Sequence, residues 1–558
     1  LAERYTFAAL PRTARGTPLV LGGDPKGRNF LYTNGNSVII RDIENPAISD
    51  IYTEHSCQVN VAKYSPSGFY IASGDASGKV RIWDTVNKEH ILKNEFQPIG
   101  GPLKDIAWSP DNQRMVVVGE GRERFGHVFM SDTGTSVGEI SGQSKPINSV
   151  DFRPARPFRI VCASEDNTLA VFEGPPFKFK CTKQEHTRFA QAVRYSPDGS
   201  MFASAGFDGK IYLYDGVSSE LKGEIGSPAH KGGVYSLAWS PDSKQLLSCS
   251  GDKTCALWDV ETRERVTLFN MGPNVEDQQV SCLWQGNHML SVSLSGVISY
   301  LDKENPDTPR MVIKGHNKPI TCLAIHIDRN FVYTASHDGT VIQWNINTGK
   351  YVRIAQSVSG TGHGNQVNGM RAIKDGGLLT CGIDDTLRSA MPNYTDEAIP
   401  LGSQPRAMDH ILEDGSDSKV HLYTLDVRTL TPSSELTHLG AVTDAKFSPD
   451  SKYLVVCDAN RKLILYNTDD YKPAHNQEWG FHSARVNCVA WSPDSMRVVS
   501  GSLDTTLIVW NVNTPAKHLI IKNAHPQSQI TGVCWVDDET IVSVGQDANT
   551  RVWTVTKN

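Results

Sequence analysis

His482-Ser-Ala-Arg-Val-Asn-Cys-Val-Ala-Trp491-Ser-Pro-Asp-Ser495, followed closely by Val498-Val-Ser-Gly-Ser-Leu-Asp504-Thr-Thr-Leu-Ile-Val-Trp510-Asn511, decides how this chain folds. Its apolar residues recur at every second position in three short runs, the period of a strand. Ser-Pro-Asp-Ser separates the first run from the second, and Asp504-Thr-Thr the second from the third; such residues hydrogen-bond to their own backbone and set tight turns. The same pattern returns as His230, Trp239-Ser-Pro-Asp-Ser243, Ser248-Cys-Ser-Gly-Asp252 and Trp258-Asp259. Internal repetition on this scale governs the whole architecture, so its period comes first.

The third-run Trp marks the period. Its equivalents fall at Arg41, Trp83, Ser131, Phe172, Tyr214, Trp258, Leu301, Trp344, Ala390, Tyr423, Tyr466, Trp510 and Trp553. Most steps are 41 to 44 residues, the size of a four-stranded propeller blade, and the unit is identified as the WD repeat. A His, a Ser or Thr, an Asp and the Trp can hydrogen-bond in series and tie one blade's turns together. The sets that fit are His230/Ser248/Asp252/Trp258, His316/Thr334/Asp338/Trp344, His482/Ser500/Asp504/Trp510 and His525/Ser543/Asp547/Trp553. Ser, His and Asp together suggest a catalytic triad, but an enzyme needs one activated nucleophile with an oxyanion hole. Repetition in blade after blade favours a structural role.

Two steps depart from the period: Trp83 to Ser131 spans 48 residues, and Ala390 to Tyr423 only 33. Thirty-three residues cannot hold an outer strand, two inner strands and their turns. The segment Met408-Asp-His-Ile-Leu-Glu-Asp-Gly415 shows no strand alternation, so about 50 residues of blade sequence are expected to be missing between 390 and 417. Restoring that blade brings the count to fourteen, too many for one ring and a natural fit to two rings of seven. The expected fold is therefore all-β, two tandem seven-bladed propellers over 11–315 and 316–558. The chain's last blade lacks an outer strand after Trp553, and Tyr5-Thr-Phe-Ala-Ala-Leu10 is the available donor.

At 558 residues the chain has material for more than one core. A net charge of −6 argues against a protein that lives on nucleic acid or anionic membrane. Eleven cysteines lie singly, without CxxC pairs or Cys/His clusters, so neither a disulfide framework nor a metal site is indicated. Neither a run of about 18 apolar residues nor a leader-like N-terminus is present, and the expected location is the cytosol. A phosphate-cradling Gly-x-x-x-x-Gly-Lys-Ser/Thr loop is lacking, and no cofactor is expected. The chain is read as a monomer.

Four segments lie outside the repeat consensus: Gly119-Glu-Gly-Arg-Glu-Arg-Phe-Gly126, Phe172-Glu-Gly-Pro-Pro-Phe-Lys-Phe-Lys180, Tyr52-Thr-Glu-His55 and Asn274-Val-Glu-Asp-Gln-Gln279. With the fourteen-blade plan, they make the whole chain resemble the actin-interacting WD-repeat proteins that work with cofilin. The resemblance implies binding to ADF/cofilin-decorated actin filaments, their severing and disassembly, and blocked regrowth of severed ends. It implies no nucleotide consumption and places the protein on the actin cytoskeleton.

The 48-residue step localises extra sequence to Glu120-Gly-Arg-Glu-Arg-Phe125, four charges and an aromatic between the second and third strands of the third blade. Longer-than-needed loops are where scaffolds carry binding. The same turn of the next blade is Ser164-Glu-Asp-Asn167, with Asp166 expected to be structural and Glu165 to face solvent. These turns share one propeller face with the connections between blades, which puts Glu123, Phe125 and Glu165 near Glu185-His-Thr-Arg-Phe189. Along Phe177-Lys-Phe-Lys180 the phenylalanines should share one side. An exposed aromatic among charges has the composition of a binding anchor with a polar rim. The resemblance implies filament contacts at Glu123, Glu165, Phe179 and Phe189, with Glu165 standing where relatives have Asp.

Two other readings compete with this one. A general WD scaffold of a ubiquitin-ligase, signalling or chromatin complex would share the fold and differ only in partner. A propeller hydrolase or lyase would need acids, histidines or a metal gathered in a central channel, and none stands out beyond the repeat positions.

Overall fold

The computed structural model describes residues 2–555 apart from 327–329, 347, 349, 355–361, 373–376, 391–392, 401–418, 427–428 and 476–478. In the repeat that contains Trp258 the strands are Val234–Trp239, Gln245–Ser250, Thr254–Asp259 and Arg265–Asn270, paired antiparallel in that order. Ser240 Oγ accepts from the N–H of Gln245 at 2.8 Å, while Ser243 takes a left-handed φ of 61° to close the turn. The register of the first pair slips between Val234 and Ser236, a bulge that bends and twists the blade. The expected alternation is muted in the first three strands because neighbouring blades cover both faces. Only the outermost strand is widely exposed.

The chain divides into two compact units, Leu10–Asn317 and Leu1–Ala9 with Lys318–Asn558. The first contains seven four-stranded sheets, here blades 1 to 7: 22–52, 59–96, 103–139, 147–183, 190–225, 234–270 and 279–313. Successive innermost strands adjoin one another, and the last returns to the first. Leu19 N–H donates to Val280 O at 3.2 Å and Gln285 Nε2 to Asn29 O at 2.9 Å, so the ring closes. Apolar side chains fill each seam; Val116 and Val118 of blade 3 meet Val150, Ile160 and Cys162 of blade 4.

Asp105 ties four of these blades together. It lies on the innermost strand Leu103–Trp108 of blade 3, fully buried. Lys63 of blade 2 approaches to 2.7 Å, Ser149 Oγ and Val150 N–H of blade 4 donate at 3.0 Å each, and Arg194 of blade 5 donates at 2.9 Å. Burial alone would push this carboxyl up, but Arg194 and Lys63 outweigh it and hold the pKa at about 2. The charges in the ring's interior escaped the sequence reading, which looked for them only at repeat positions. They form a paired network, the arrangement that makes buried charge tolerable.

Among the described residues the second unit contains six sheets: 320–353, 367–400, a two-stranded 419–437, a three-stranded 442–467, 486–521 and 530–554. The incomplete blade expected between 390 and 417 falls largely outside the described residues. The last sheet gains its fourth strand from the start of the chain, where Ala2–Phe7 pairs with Thr550–Thr554. That strand lies three residues earlier than the expected 5–10: Ala9 N–H already caps Asn549 Oδ1 at 2.9 Å, and Leu10 N–H bonds His316 O at 2.8 Å in the first unit. Pairing covers what would otherwise be an open sheet edge.

The polar series close in the blades of Trp258, Trp510 and Trp553. His482 Nδ1 donates to Asp504 at 3.1 Å, Ser500 Oγ donates to His482 Nε2 at 2.8 Å, and Trp510 Nε1 donates to Ser500 Oγ at 2.8 Å. Equivalent distances of 2.7 to 3.0 Å join His230, Ser248, Asp252 and Trp258, and of 2.8 to 2.9 Å His525, Ser543, Asp547 and Trp553. In the fourth set Trp344 Nε1 donates to Thr334 Oγ1 at 2.7 Å, and Asp338 accepts from Ser336 and Thr340 of its own turn. A further series, His55/Ser73/Asp75/Trp83, is hidden from the sequence because its Asp ends the strand instead of sitting in the turn. In blade 3 the Trp position is taken by Phe129, opposite Met115, and not by Ser131.

Asp504 also accepts from the N–H groups of Ser483 and Thr506 at 2.8 and 3.0 Å. Burial raises its pKa, but His482 and these donors override that and leave it well below the usual carboxylate range. Asp504→Ala is expected to lower the unfolding midpoint in urea by the equivalent of about 1–3 kcal/mol, the cost of orphaned buried donors. Binding should fall only as the folded fraction does; binding lost at unchanged stability would mark Asp504 as a contact residue.

Candidate functional site

Glu120–Phe125 joins the strands Arg114–Gly119 and Gly126–Met130. It is a six-residue turn, where the corresponding turns Glu165–Thr168 and Phe207–Lys210 of blades 4 and 5 have four. Gly119 N–H bonds Phe125 O at 2.8 Å and Glu120 N–H bonds Pro102 O at 2.9 Å, closing both ends. Gly121 is demanded by the fold of this turn, since a Cβ there would stand 1.9 Å from Arg124 O. Glu123 projects from the tip, exposed and without an ion pair among the described residues. Arg124 reaches back to Glu139 at 3.3 Å. Phe125 is only half exposed and packs against the Val116, Val118 and Ile140 cluster, so it stiffens the turn more than it offers a free ring.

Glu165 does not simply face water. Its carboxylate is 2.8 Å from Lys104 Nζ, and the same ammonium lies 2.8 Å from Glu120 and 3.0 Å from Asn148 Oδ1. Two carboxylates share one lysine, which leaves the cluster net negative. Asp166 is structural as expected, accepting from Ser144 N–H at 2.8 Å and Thr168 N–H at 3.0 Å.

The phenylalanines of the outer strand Lys178–Lys183 and the residues before it differ in how deeply they are buried. Both turn toward the same stretch at the end of blade 3, Phe177 against Gly138 and Phe179 against Gly142, so they share one side as expected; the register shift of this strand falls beyond them, at Lys180. Phe177 turns into the core against Phe152, with ring centroids 5.3 Å apart, while Phe179 stays 45% exposed. Phe179 rests on Phe172 and on Gly142, where a Cβ would come within 2.9 Å of the ring. Phe189, 40% exposed, packs edge-on to Phe207, and Lys145 Nζ sits 5.6 Å from its ring centroid.

The connection 140–146 gathers these pieces, and sequence reasoning passed it over. Gly142 supports Phe179, Ser144 caps Asp166, Lys145 covers Phe189, and Pro146 O accepts from Glu165 N–H at 3.0 Å. Its signal was a missing letter: this connection lacks the His that precedes most inner strands, so it is released from the polar series. Glu123, Glu165, Phe179 and Phe189 thus surround one stretch of blades 3 to 5, with Phe125 beneath its edge. The arrangement presents acids and two pinned, half-exposed rings.

Eight segments, 48–84, 134–173, 177–215, 223–259, 307–345, 430–467, 475–511 and 516–554, match the family model "WD domain, G-beta repeat". Sheets and matches together define a WD-repeat β-propeller protein. Within that class the chain belongs to the family of actin-interacting protein 1 and WD repeat-containing protein 1. It is 65% identical to "Actin-interacting protein 1" of Drosophila melanogaster over 99% of this chain and 98% of that protein. It is 45% identical to "WD repeat-containing protein 1" of Gallus gallus over 100% and 99% of the two chains, and 46% identical to that of Rattus norvegicus over 99% of each.

Proposed function

We propose that this chain is a non-enzymatic actin-binding scaffold that works with ADF/cofilin on the cytoplasmic actin cytoskeleton, severing and disassembling filaments and blocking regrowth of severed ends. Near-full-length identity to a protein named for interacting with actin carries this reading. The acidic and aromatic face of blades 3 to 5 supports it, because it offers two anchoring rings beside Glu123, unpaired among the described residues, and a net negative cluster in which Glu120 and Glu165 share Lys104. On this reading Glu123, Glu165, Phe179 and Phe189 meet the filament, Phe125 holds their turn, and the protein acts as a monomer without nucleic acid, membrane or cofactor. The Ser, His and Asp side chains are engaged with one another and with Trp, which supports the absence of catalysis. We further propose that the second unit is a seven-bladed ring with one blade incompletely represented; the alignment with the Drosophila protein spans 600 positions, more than the 558 residues here.

The test is sedimentation and time-resolved microscopy of actin filaments with the purified chain, with and without cofilin. Filaments should shorten, and the chain should pellet with them, only when cofilin is present. Equal behaviour in both conditions, or none in either, would overturn the reading in favour of a general scaffold.

A further inference from the structure

In an antiparallel blade the first-to-second and third-to-fourth turns lie at the end opposite the connections. Between blades 1 and 2 these turns enclose a cleft of about 440 Å³ on the face away from the connection surface. Its acids are held inward by hydrogen bonds, though they keep their charge. Asp24 accepts from the N–H groups of Lys26 and Asn29, Asp42 from those of Glu44 and Asn45, and Asp50 from His90 Nε2 at 2.8 Å. Its cations are not: Lys26, Arg28 and Lys88 are exposed and form no ion pair among the described residues, Lys26 resting 4.1 Å over the Phe69 ring. Ser49 Oγ, on the cleft wall, is buried without a hydrogen-bond partner.

Apolar side chains complete the picture. Ile48 lines the cleft, Phe69 and Val86 directly follow its lining residues Gly68 and Thr85, and Ile91 follows His90; all four are more than half exposed. A small inorganic anion would use the cations and leave these side chains idle. A polypeptide bearing both carboxylates and an apolar side chain uses both. We propose that this cleft docks an acidic polypeptide segment, its carboxylates on Lys26, Arg28 and Lys88 and an apolar side chain against Ile48 and Val86. The surface is independent of the connection face and of the function proposed for it.

Fluorescence anisotropy with the full chain tests this, using as probe a short labelled peptide of glutamates around a central leucine–phenylalanine pair. The probe should bind, and weaken as salt rises. The triple variant Lys26→Glu, Arg28→Glu, Lys88→Glu should bind it about tenfold more weakly or worse, as should Val86→Asp. Circular dichroism confirms that each variant is folded. Glu123→Ala should bind it as the unaltered chain does, which keeps this surface separate from the other. Unchanged affinity in the charge-reversed variant would overturn the proposal. Equal binding of an all-glutamate peptide would overturn it too by showing a plain anion site.

Discussion

Asp105→Ala is expected to destabilise the seven-bladed ring by about 3–5 kcal/mol, because it removes one member of a buried network and strands the others. The carboxylate is the shared acceptor of Lys63, Ser149, Val150 N–H and Arg194, contributed by three neighbouring blades. Removing it leaves Lys63 and Arg194 with Asp151 as the buried carboxyl that remains beside them, and an alanine fills neither the space nor the charge. Denaturant unfolding of the full chain, followed by a probe of the first unit, measures the effect. Asp105→Asn keeps the shape and should cost less. It also separates charge from packing through pH. The folded pKa of about 2 lies below the value of about 3.9 expected for an unfolded Asp, so this contribution is complete above pH ~4 and disappears as pH falls through ~2. The gap between wild type and Asp105→Asn should therefore narrow on acidification. A gap that stays constant, or an alanine variant as stable as wild type, would show that the network is dispensable.

The second large effect is functional. Phe179→Ala or Phe189→Ala should each weaken engagement of cofilin-decorated filaments by about 2 kcal/mol or more, roughly 30-fold, if the ring is an anchor. Both rings are already held, by Gly142 and Phe172 in one case and Phe207 in the other, so little ordering is required on binding. Glu123→Ala should leave stability within about 0.5 kcal/mol of wild type, because the side chain touches nothing that it supports. Glu165→Ala breaks an ion pair with Lys104, yet that lysine keeps Glu120, so a loss of at most about 1 kcal/mol is expected. Combining all four substitutions should abolish cofilin-dependent disassembly in a protein that still melts near the wild-type temperature. A folded quadruple variant that disassembles filaments at the wild-type rate would move the contact surface elsewhere, the second unit being the next place to search.

Much of this was legible in the primary structure, for a physical reason. Each blade repeats one solution to the same problem: short runs of period two, turns that need Ser, Pro, Asp or Gly, and a buried polar series whose members must be His, Ser or Thr, Asp and Trp. Such local demands write themselves into letters at fixed spacing, which is why the Trp510 blade and the extra length of Glu120–Phe125 could be found without coordinates. The Asp of the second blade's series was missed because strand end and turn can both supply an acceptor, and only geometry tells which one does.

What tertiary structure alone decided were the relations between residues far apart in the chain. Nothing in Leu103–Trp108 announces that Asp105 will meet Lys63 and Arg194, because those contacts exist only once four blades stand side by side. Phe177 and Phe179 are equivalent in the sequence and face the same side, yet the packing of Gly138 and Phe152 buries one while the other stays 45% exposed. Glu165 looks like a free surface charge until the neighbouring blade brings Lys104 to it. Strand period, turn and polar series are properties of one repeat and can be read from it. Ion pairs across seams, the depth to which each ring of an outer strand is buried, and the choice of Ala2–Phe7 to close the last sheet depend on where another part of the chain arrives, and only packing determines that.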